Sequence, residues 1–174
     1  MGKQHLNFMK FKKINLSLLV ILLIGFAIRI WQVQFNPPHL TPDEAALGYN
    51  AYSVLHTLRD EHGQFLPLIF KSFGDYKPGL YVYAAVPTVL LFGLTEFAVR
   101  LPSVLAGTIS IFLIYYIVKD QGSKLNATFA AGVAALNPWL IHFSRGAWEA
   151  NLSLMLTLAG ILLFLKSFKR VLVK

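Results

Sequence analysis

Cysteine is absent from the 174 residues. That excludes disulfides, thiolate metal sites and thiol nucleophiles, and it leaves the redox character of the compartment unread. Charge is scarce as well: 14% of the residues are Asp, Glu, Lys or Arg, against about 25% in a soluble domain. Acids are scarcer still, eight against sixteen Lys and Arg. Internal repeats and low-complexity linkers are missing too. What is there is apolar. Hydrophobic residues make up 56% of the chain, in runs long enough to cross a bilayer, which places it among polytopic membrane proteins. The net charge of +8 lies at the ends of those runs and not in one stripe interleaved with aromatics. Membrane topology therefore accounts for it better than nucleic acid does.

Residues 14–31 form a first apolar run of about one bilayer thickness, preceded by Lys3, Lys10, Lys12 and Lys13. It is longer than a signal-peptide core and no small-residue cleavage site follows, so it reads as an uncleaved anchor with a cytoplasmic N-terminus. Arg29 and Trp31 suit the far interface, where a long cation snorkels and an aromatic anchors. Four further stretches follow, at 79–94, 97–118, 125–143 and 150–165. If all of them span, ten of the sixteen Lys and Arg fall outside. If 79–94 is interfacial or half-inserted, ten fall inside, with 166–174 as a basic cytoplasmic tail, and the positive-inside rule is obeyed. The segment supports the second choice, since it is short, starts with Tyr81 and Tyr83 and holds Pro87 in its middle. A helix of that length covers about 24 Å of a roughly 30 Å core. The expected fold is all-α and integral to the membrane, a single membrane domain with four transmembrane helices. Both termini are cytoplasmic, and seven of the eight acids face outward.

Residues 32–78 then make an outer loop too long for a simple connection. Thr41-Pro42-Asp43-Glu44 has helix-start chemistry: Thr41 as N-cap, Pro42 at N1, and Glu44 at N3 completing a capping box. Leu47, Ala51, Val54, Leu55 and Leu58 recur at helical spacing, which predicts an amphipathic helix over 42–60 lying on the membrane surface. Glu44 is thereby accounted for as a cap. Asp43 gains only a modest helix-dipole benefit and is free for a role at a lipid-facing cleft. Lys77, just before Pro78-Gly79, either snorkels or neutralises a phosphate. Asp75 is its partner or a turn residue. Arg100 follows Glu96 by four residues and Glu149 follows Arg145 by four, the spacing of local ion pairs. Asn137-Pro138 breaks or kinks 125–143 near its outer end, ahead of a second outer loop at 144–149. His142 and Trp148 suit either an interface or the lining of a sugar pocket. The sequons at Asn126 and Asn151 sit in or beside spans and read as chance matches.

The anchor helix and the stretches "TPDEAALGYNA", "GDYKPGLYVY", "LFGLTEFAVRLPSVLAG" and "NPWLIHFSRGAWEANL", in that order, resemble the N-terminal part of polyprenyl-phosphate-sugar-dependent glycosyltransferases of the GT-C fold. The closest resemblance is to the dolichyl-phosphate-mannose protein mannosyltransferases and the bacterial lipid A aminoarabinose transferases. The resemblance implies transfer of a sugar from a polyprenyl-phosphate carrier to a protein, lipid or glycan acceptor on the outer face of the plasma membrane. It assigns the acidic motif of the first outer loop to Asp43, with Glu44 beside it, as catalytic. It assigns lipid-phosphate or substrate binding to Lys77, Arg100, Arg145 and Glu149. Where many members have Lys-Pro-Pro, this chain has Lys77-Pro78-Gly79. No cofactor is required by the resemblance. A divalent metal stays open, because two acids from separate loops are able to supply oxygen ligands. Family members have a larger bundle of spans, so a missing C-terminal half or a partner subunit is expected. The alternative is a non-catalytic membrane subunit or lipid-binding assembly partner that keeps the scaffold. A transporter fits less well, since no ionisable residue lies mid-span and no paired broken helices occur.

Overall fold

The computed structural model describes residues 15–72 and 74–172, with side chains through Phe168. The basic N-terminal run and the position of residue 14 lie outside the described residues. Seven helices and one hairpin are described, in the order α1 (Leu16–Ile30), α2 (Pro42–Thr57), β1 (Ile69–Ser72), β2 (Asp75–Pro78), α3 (Leu80–Phe92), α4 (Glu96–Gln121), α5 (Lys124–Leu136), α6 (Pro138–Arg145) and α7 (Glu149–Leu172). Two of the helices are long and apolar enough to cross a membrane, Glu96–Gln121 and Glu149–Phe168, while α1 and α3 are shorter apolar helices. The chain is thus a mostly helical membrane protein.

The fold is mostly α, as expected, with one addition: β1 and β2 form an antiparallel hairpin with Phe70 opposite Lys77. The run 125–143 breaks at Asn137-Pro138, as expected: α5 ends at Leu136, and Asn137 caps α6 by accepting from the Leu140 N–H, with Pro138 in its first turn. A proline has no N–H to continue the ladder of α5, so the break falls where the Asn-Pro pair stands. Other expectations are corrected. The tail 166–174 is helical as far as Leu172, as a continuation of α7. The outer-loop helix stops at Thr57 and not at 60, with Leu58 in the left-handed region at φ 57°.

α4 is the post around which the other helices pack. On one side α5 offers Ala127, Ala131, Ala134 and Ala135 to Leu18 of α1 and to Ile111 and Tyr115 of α4. Small residues at such spacing let helix backbones approach closely, which is how helices associate where lipid removes the hydrophobic driving force. On the other side α2, the hairpin and α3 share a core of Leu47, Ala51, Val54, Phe70, Tyr81, Val82, Ala85 and Val89 with Ala98 and Val99 of α4. The apolar stripe of α2 therefore faces α3 and the hairpin and is not laid bare along a membrane surface. Only Leu58, of the five stripe residues, is exposed.

α3 is tied to the first turn of α4: the Tyr81 hydroxyl donates to the Val99 carbonyl at 3.0 Å and the Thr88 hydroxyl to the Ala98 carbonyl at 2.7 Å.

Arg29 is a further correction: it does not snorkel but is 1% exposed, among the largest buried side chains. Its guanidinium donates to the carbonyls of Gly25, Ala134 and Ala135 and to the Ser144 hydroxyl, at 3.0–3.2 Å. It thereby ties the end of α1 to the end of α5, where the break leaves carbonyls without helical partners. Gly107 of α4 lies against this knot, and a Cβ there would meet the side chain of Ser144 and approach Arg29 Nε. Gly107→Ala is expected to destabilise the protein by about 1–3 kcal/mol through overpacking, read as a lower melting temperature in detergent. Gly132→Ala, where a Cβ meets nothing within 4 Å, is expected to leave it unchanged or slightly raised.

Candidate active site

The ends of α1 and α5, the helix α6 and the starts of α4 and α7 meet at one end of the helix cluster, with α2 and the hairpin beside them. Ser103 of α4 donates to the Phe143 carbonyl, and buried Asn151 of α7 donates to the Ser103 carbonyl and hydroxyl. Asn151 is thus a structural tie between spans. All six site residues proposed from the sequence lie at this end, but in three separate settings.

Glu44 and Arg100 form the first. The capping box is present: the Thr41 N–H donates to Glu44 Oε2 at 2.9 Å and the Glu44 N–H to Thr41 Oγ1 at 3.3 Å. The same carboxylate accepts from Arg100 Nε at 2.9 Å, from Arg100 Nη2 at 3.2 Å and from the Ala147 N–H at 2.8 Å. Arg100 directs its other donors to the carbonyls of Val33, Pro37 and His39, at 2.6–2.8 Å. All five guanidinium N–H groups are used. Glu44 is 2% exposed and Arg100 0%. Arg100 is therefore paired with Glu44 and not with Glu96, and it has no donor left for a lipid phosphate. This corrects its assignment as a phosphate ligand. Glu44 is likewise sealed from substrate. Burial alone raises its pKa, but the hydrogen bonds from Arg100, Thr41 and Ala147 and the charge of Arg100 outweigh burial and hold it below its ordinary 4.5.

Asp43 and Lys77 form the second. Successive residues on a helix point about 100° apart, so burying Glu44 turns Asp43 outward, and its side chain is 53% exposed. Lys77 Nζ lies 2.6 Å from Asp43 Oδ1, with its own side chain only 10% exposed. The hairpin register aims it: Lys77 faces Phe70 across the strands, and both are buried on the side toward α2 and α3. Asp75 opens β2 opposite Ser72 and accepts from the Tyr76 N–H, and is not the partner of Lys77. Sequence reasoning missed this hairpin. Its signal is Gly74 between two short runs of β-compatible residues. Gly79 fixes the exit from it. The Gly79 N–H donates to the Leu68 carbonyl at 2.8 Å, and a Cβ there would stand 2.7 Å from that oxygen.

Glu149 opens α7 and lines a groove of about 340 Å³ with Pro78, Leu80, Tyr81, Leu152 and Leu156. Pro78, the residue after Lys77, lines this apolar groove together with Glu149, while the Lys77 side chain itself points to the opposite face of β2, toward Asp43. Arg145 is elsewhere. It donates to the carbonyls of Ile28 and Asn36, at 2.7 and 2.8 Å, and not to Glu149. His142 shares a pocket with Arg145 and not with Lys77. Trp148 packs near Phe143. Among the described residues no group of three His, Asp or Glu side chains gathers to hold a metal ion.

A profile described as Dolichyl-phosphate-mannose-protein mannosyltransferase matches residues 77–170, a little over half of the chain. The chain belongs to that mannosyltransferase family. Within it, "Putative mannosyltransferase YycA" of Bacillus subtilis (strain 168) is 29% identical over 143 residues, covering 79% of this chain and 19% of the relative. "Putative mannosyltransferase YkcB" of the same strain is 28% identical over 160 residues, covering 89% of this chain and 21% of the relative. The chain thus spans about one fifth of the length of these mannosyltransferase relatives. No solved structure matches it. The family match includes Lys77, Arg100, Arg145 and Glu149 but begins beyond Asp43 and Glu44.

Removing Glu44 leaves Arg100 as an unpaired buried charge. Glu44→Ala is expected to cost about 3–5 kcal/mol, read by thermal unfolding in detergent, with the double variant Glu44→Met/Arg100→Met losing less than the sum of the singles. Because the folded-state pKa of Glu44 is depressed, its contribution is complete above the unfolded value and is lost as pH falls through the lower folded value. Stability should therefore drop on acidification below about pH 4.5, and Glu44→Gln should flatten that slope.

Proposed function

We propose that this chain forms the part of a polyprenyl-phosphate-sugar-dependent glycosyltransferase that handles the acceptor and the donor phosphate at the outer face of the plasma membrane. The reading rests on one observation, the Asp43–Lys77 pair. A half-exposed carboxylate meets a nearly buried ammonium at 2.6 Å, and the residue after that lysine, Pro78, lines an apolar groove suited to a prenyl chain.

In the reaction the acceptor hydroxyl or amine attacks the anomeric carbon and the bond from that carbon to the phosphate oxygen breaks. The proton passes to Asp43. The departing polyprenyl phosphate carries one more negative charge than the donor phosphodiester did, and Lys77 offsets it. Arrival of the donor phosphate gives Lys77 a second anion, which loosens its hold on Asp43 and frees a carboxylate oxygen to accept the proton. Glu149, across the groove, accepts hydrogen bonds from sugar hydroxyls. Glu44 and Arg100 hold Asp43 in place without touching substrate.

The test is a transfer assay in membranes with labelled polyprenyl-phosphate sugars. Asp43→Asn is expected to lower transfer by about 100-fold or more with little loss of fold, since the side chain is half exposed. Lys77→Gln should lower transfer and Lys77→Arg restore part of it. Unchanged transfer in Asp43→Asn removes the base. Retained donor binding without any transfer by the 174-residue chain favours the non-catalytic subunit instead.

A further inference from the structure

Asn36, Pro37, Pro138, Ile141, His142 and Arg145 line a second cavity of about 350 Å³, which shares no residue with the α3–α7 groove. We propose that it binds the phosphate of an anionic membrane lipid, at a site separate from the sugar-transfer groove. The inference does not rest on the proposed transferase activity.

The chemistry starts with Arg145. Its Nη1 donates to the Ile28 carbonyl at 2.7 Å and more weakly to that of Arg29 at 3.4 Å, and its Nη2 to the Asn36 carbonyl at 2.8 Å. These bonds fix the plane of the guanidinium. They leave the Nε–H and one Nη2 hydrogen without a protein acceptor among the described residues, in a group that holds five. Two adjacent N–H groups in a fixed plane match two oxygens of a phosphate. His142 is exposed on the same wall and adds a ring nitrogen.

The charge is also unbalanced here. Arg29 lies beneath, its own carbonyl accepting from Arg145, and its guanidinium donates to three carbonyls and a hydroxyl. Glu44 holds Arg100, Asp43 holds Lys77, and Glu149, four residues after Arg145, lines the α3–α7 groove. No ion pair within 4.0 Å involves Arg29 or Arg145 among the described residues. Two guanidiniums at one corner of the protein, without a carboxylate, favour an anion there.

Depth identifies the anion. Trp31 and Phe35 lead into Asn36, and Trp139 follows Pro138. All three are exposed, at 71%, 67% and 68%. Exposed aromatics grouped around a polar pocket on a membrane protein mark the headgroup level. A lipid phosphate is held there by the bilayer itself, whereas a soluble phosphate ester gains nothing from that fence of rings.

The protein in detergent is incubated with phosphatidylglycerol or phosphatidylcholine and bound lipid is read by native mass spectrometry. One phosphatidylglycerol should be retained in preference to phosphatidylcholine. His142→Glu places a carboxylate in the cavity without removing the bonds Arg145 makes, and should weaken that retention about tenfold at an unchanged melting temperature. Arg145→Gln should weaken retention as well, but with a lower melting temperature, because it also removes the bonds to Ile28 and Asn36. Equal retention of the two lipids, or parent-like retention in folded His142→Glu, overturns the proposal. Retention lost in Lys77→Gln but not in His142→Glu assigns the lipid to the groove and overturns it as well. Glycerol phosphate alone binding as tightly as phosphatidylglycerol makes the ligand a soluble phosphate and overturns the lipid assignment.

Discussion

Arg100 carries a full positive charge with no exposed surface, at the start of a helix of membrane-spanning length, and the surrounding structure is arranged by the need to satisfy it. A buried guanidinium is tolerated only when its charge is paired and its five donors are met. Glu44 supplies the charge and two acceptors, and the loop carbonyls of Val33, Pro37 and His39 supply the rest. The remaining capacity of the carboxylate goes to Thr41 and Ala147. One ion pair thus gathers the exit from α1, the start of α2, the first turn of α4 and the turn before α7. Such a pair is weak evidence for net stability, since burying both ions is costly. Its contribution is to specify a single arrangement of elements that apolar contact alone would leave free to slide.

The two adjacent acids divide the work. Glu44 turns inward and belongs to the scaffold, while Asp43 shares its backbone and inherits its position. Lys77 arrives independently, from a hairpin whose register buries it. The chemistry proposed for Asp43 therefore depends on two elements far apart in sequence meeting to within a hydrogen-bond length, and the Glu44–Arg100 pair is what fixes one of them. The bonds from Tyr81 and Thr88 to the first turn of α4 help position the other, because α3 continues the chain directly from Lys77 through Pro78 and Gly79.

Local signals were legible in the sequence. Thr41-Pro42-Asp43-Glu44 spelled out a capping box within four residues, Asn137-Pro138 announced a break, and the short apolar run with Pro87 announced a helix unlike the others. Partners were harder to read. Arg100 has a suitable acid four residues away in Glu96, and Arg145 has Glu149, so spacing pointed to local pairs. Packing chose an acid 56 residues distant for Arg100 and backbone carbonyls for Arg145. Arg29 looked like a snorkelling cation because sequence shows nearness to a span end but not the unpaired carbonyls that a break 106 residues later would leave. The hairpin went unread because its strands are four residues each, too short for alternation to stand out beside the apolar runs.

Gly79 has a consequence for how the site tolerates change. Its N–H latches the hairpin to Leu68, a bond that a proline at this position would have no hydrogen to make. The two residues would close the same turn by different physics. Proline limits the unfolded chain by fixing φ in advance, whereas glycine brings the largest conformational entropy of any residue and must offset it in the folded state. In this chain the aim of Lys77 is secured by an enthalpic latch, and its sharpness varies with the solvent's ability to compete for that one carbonyl.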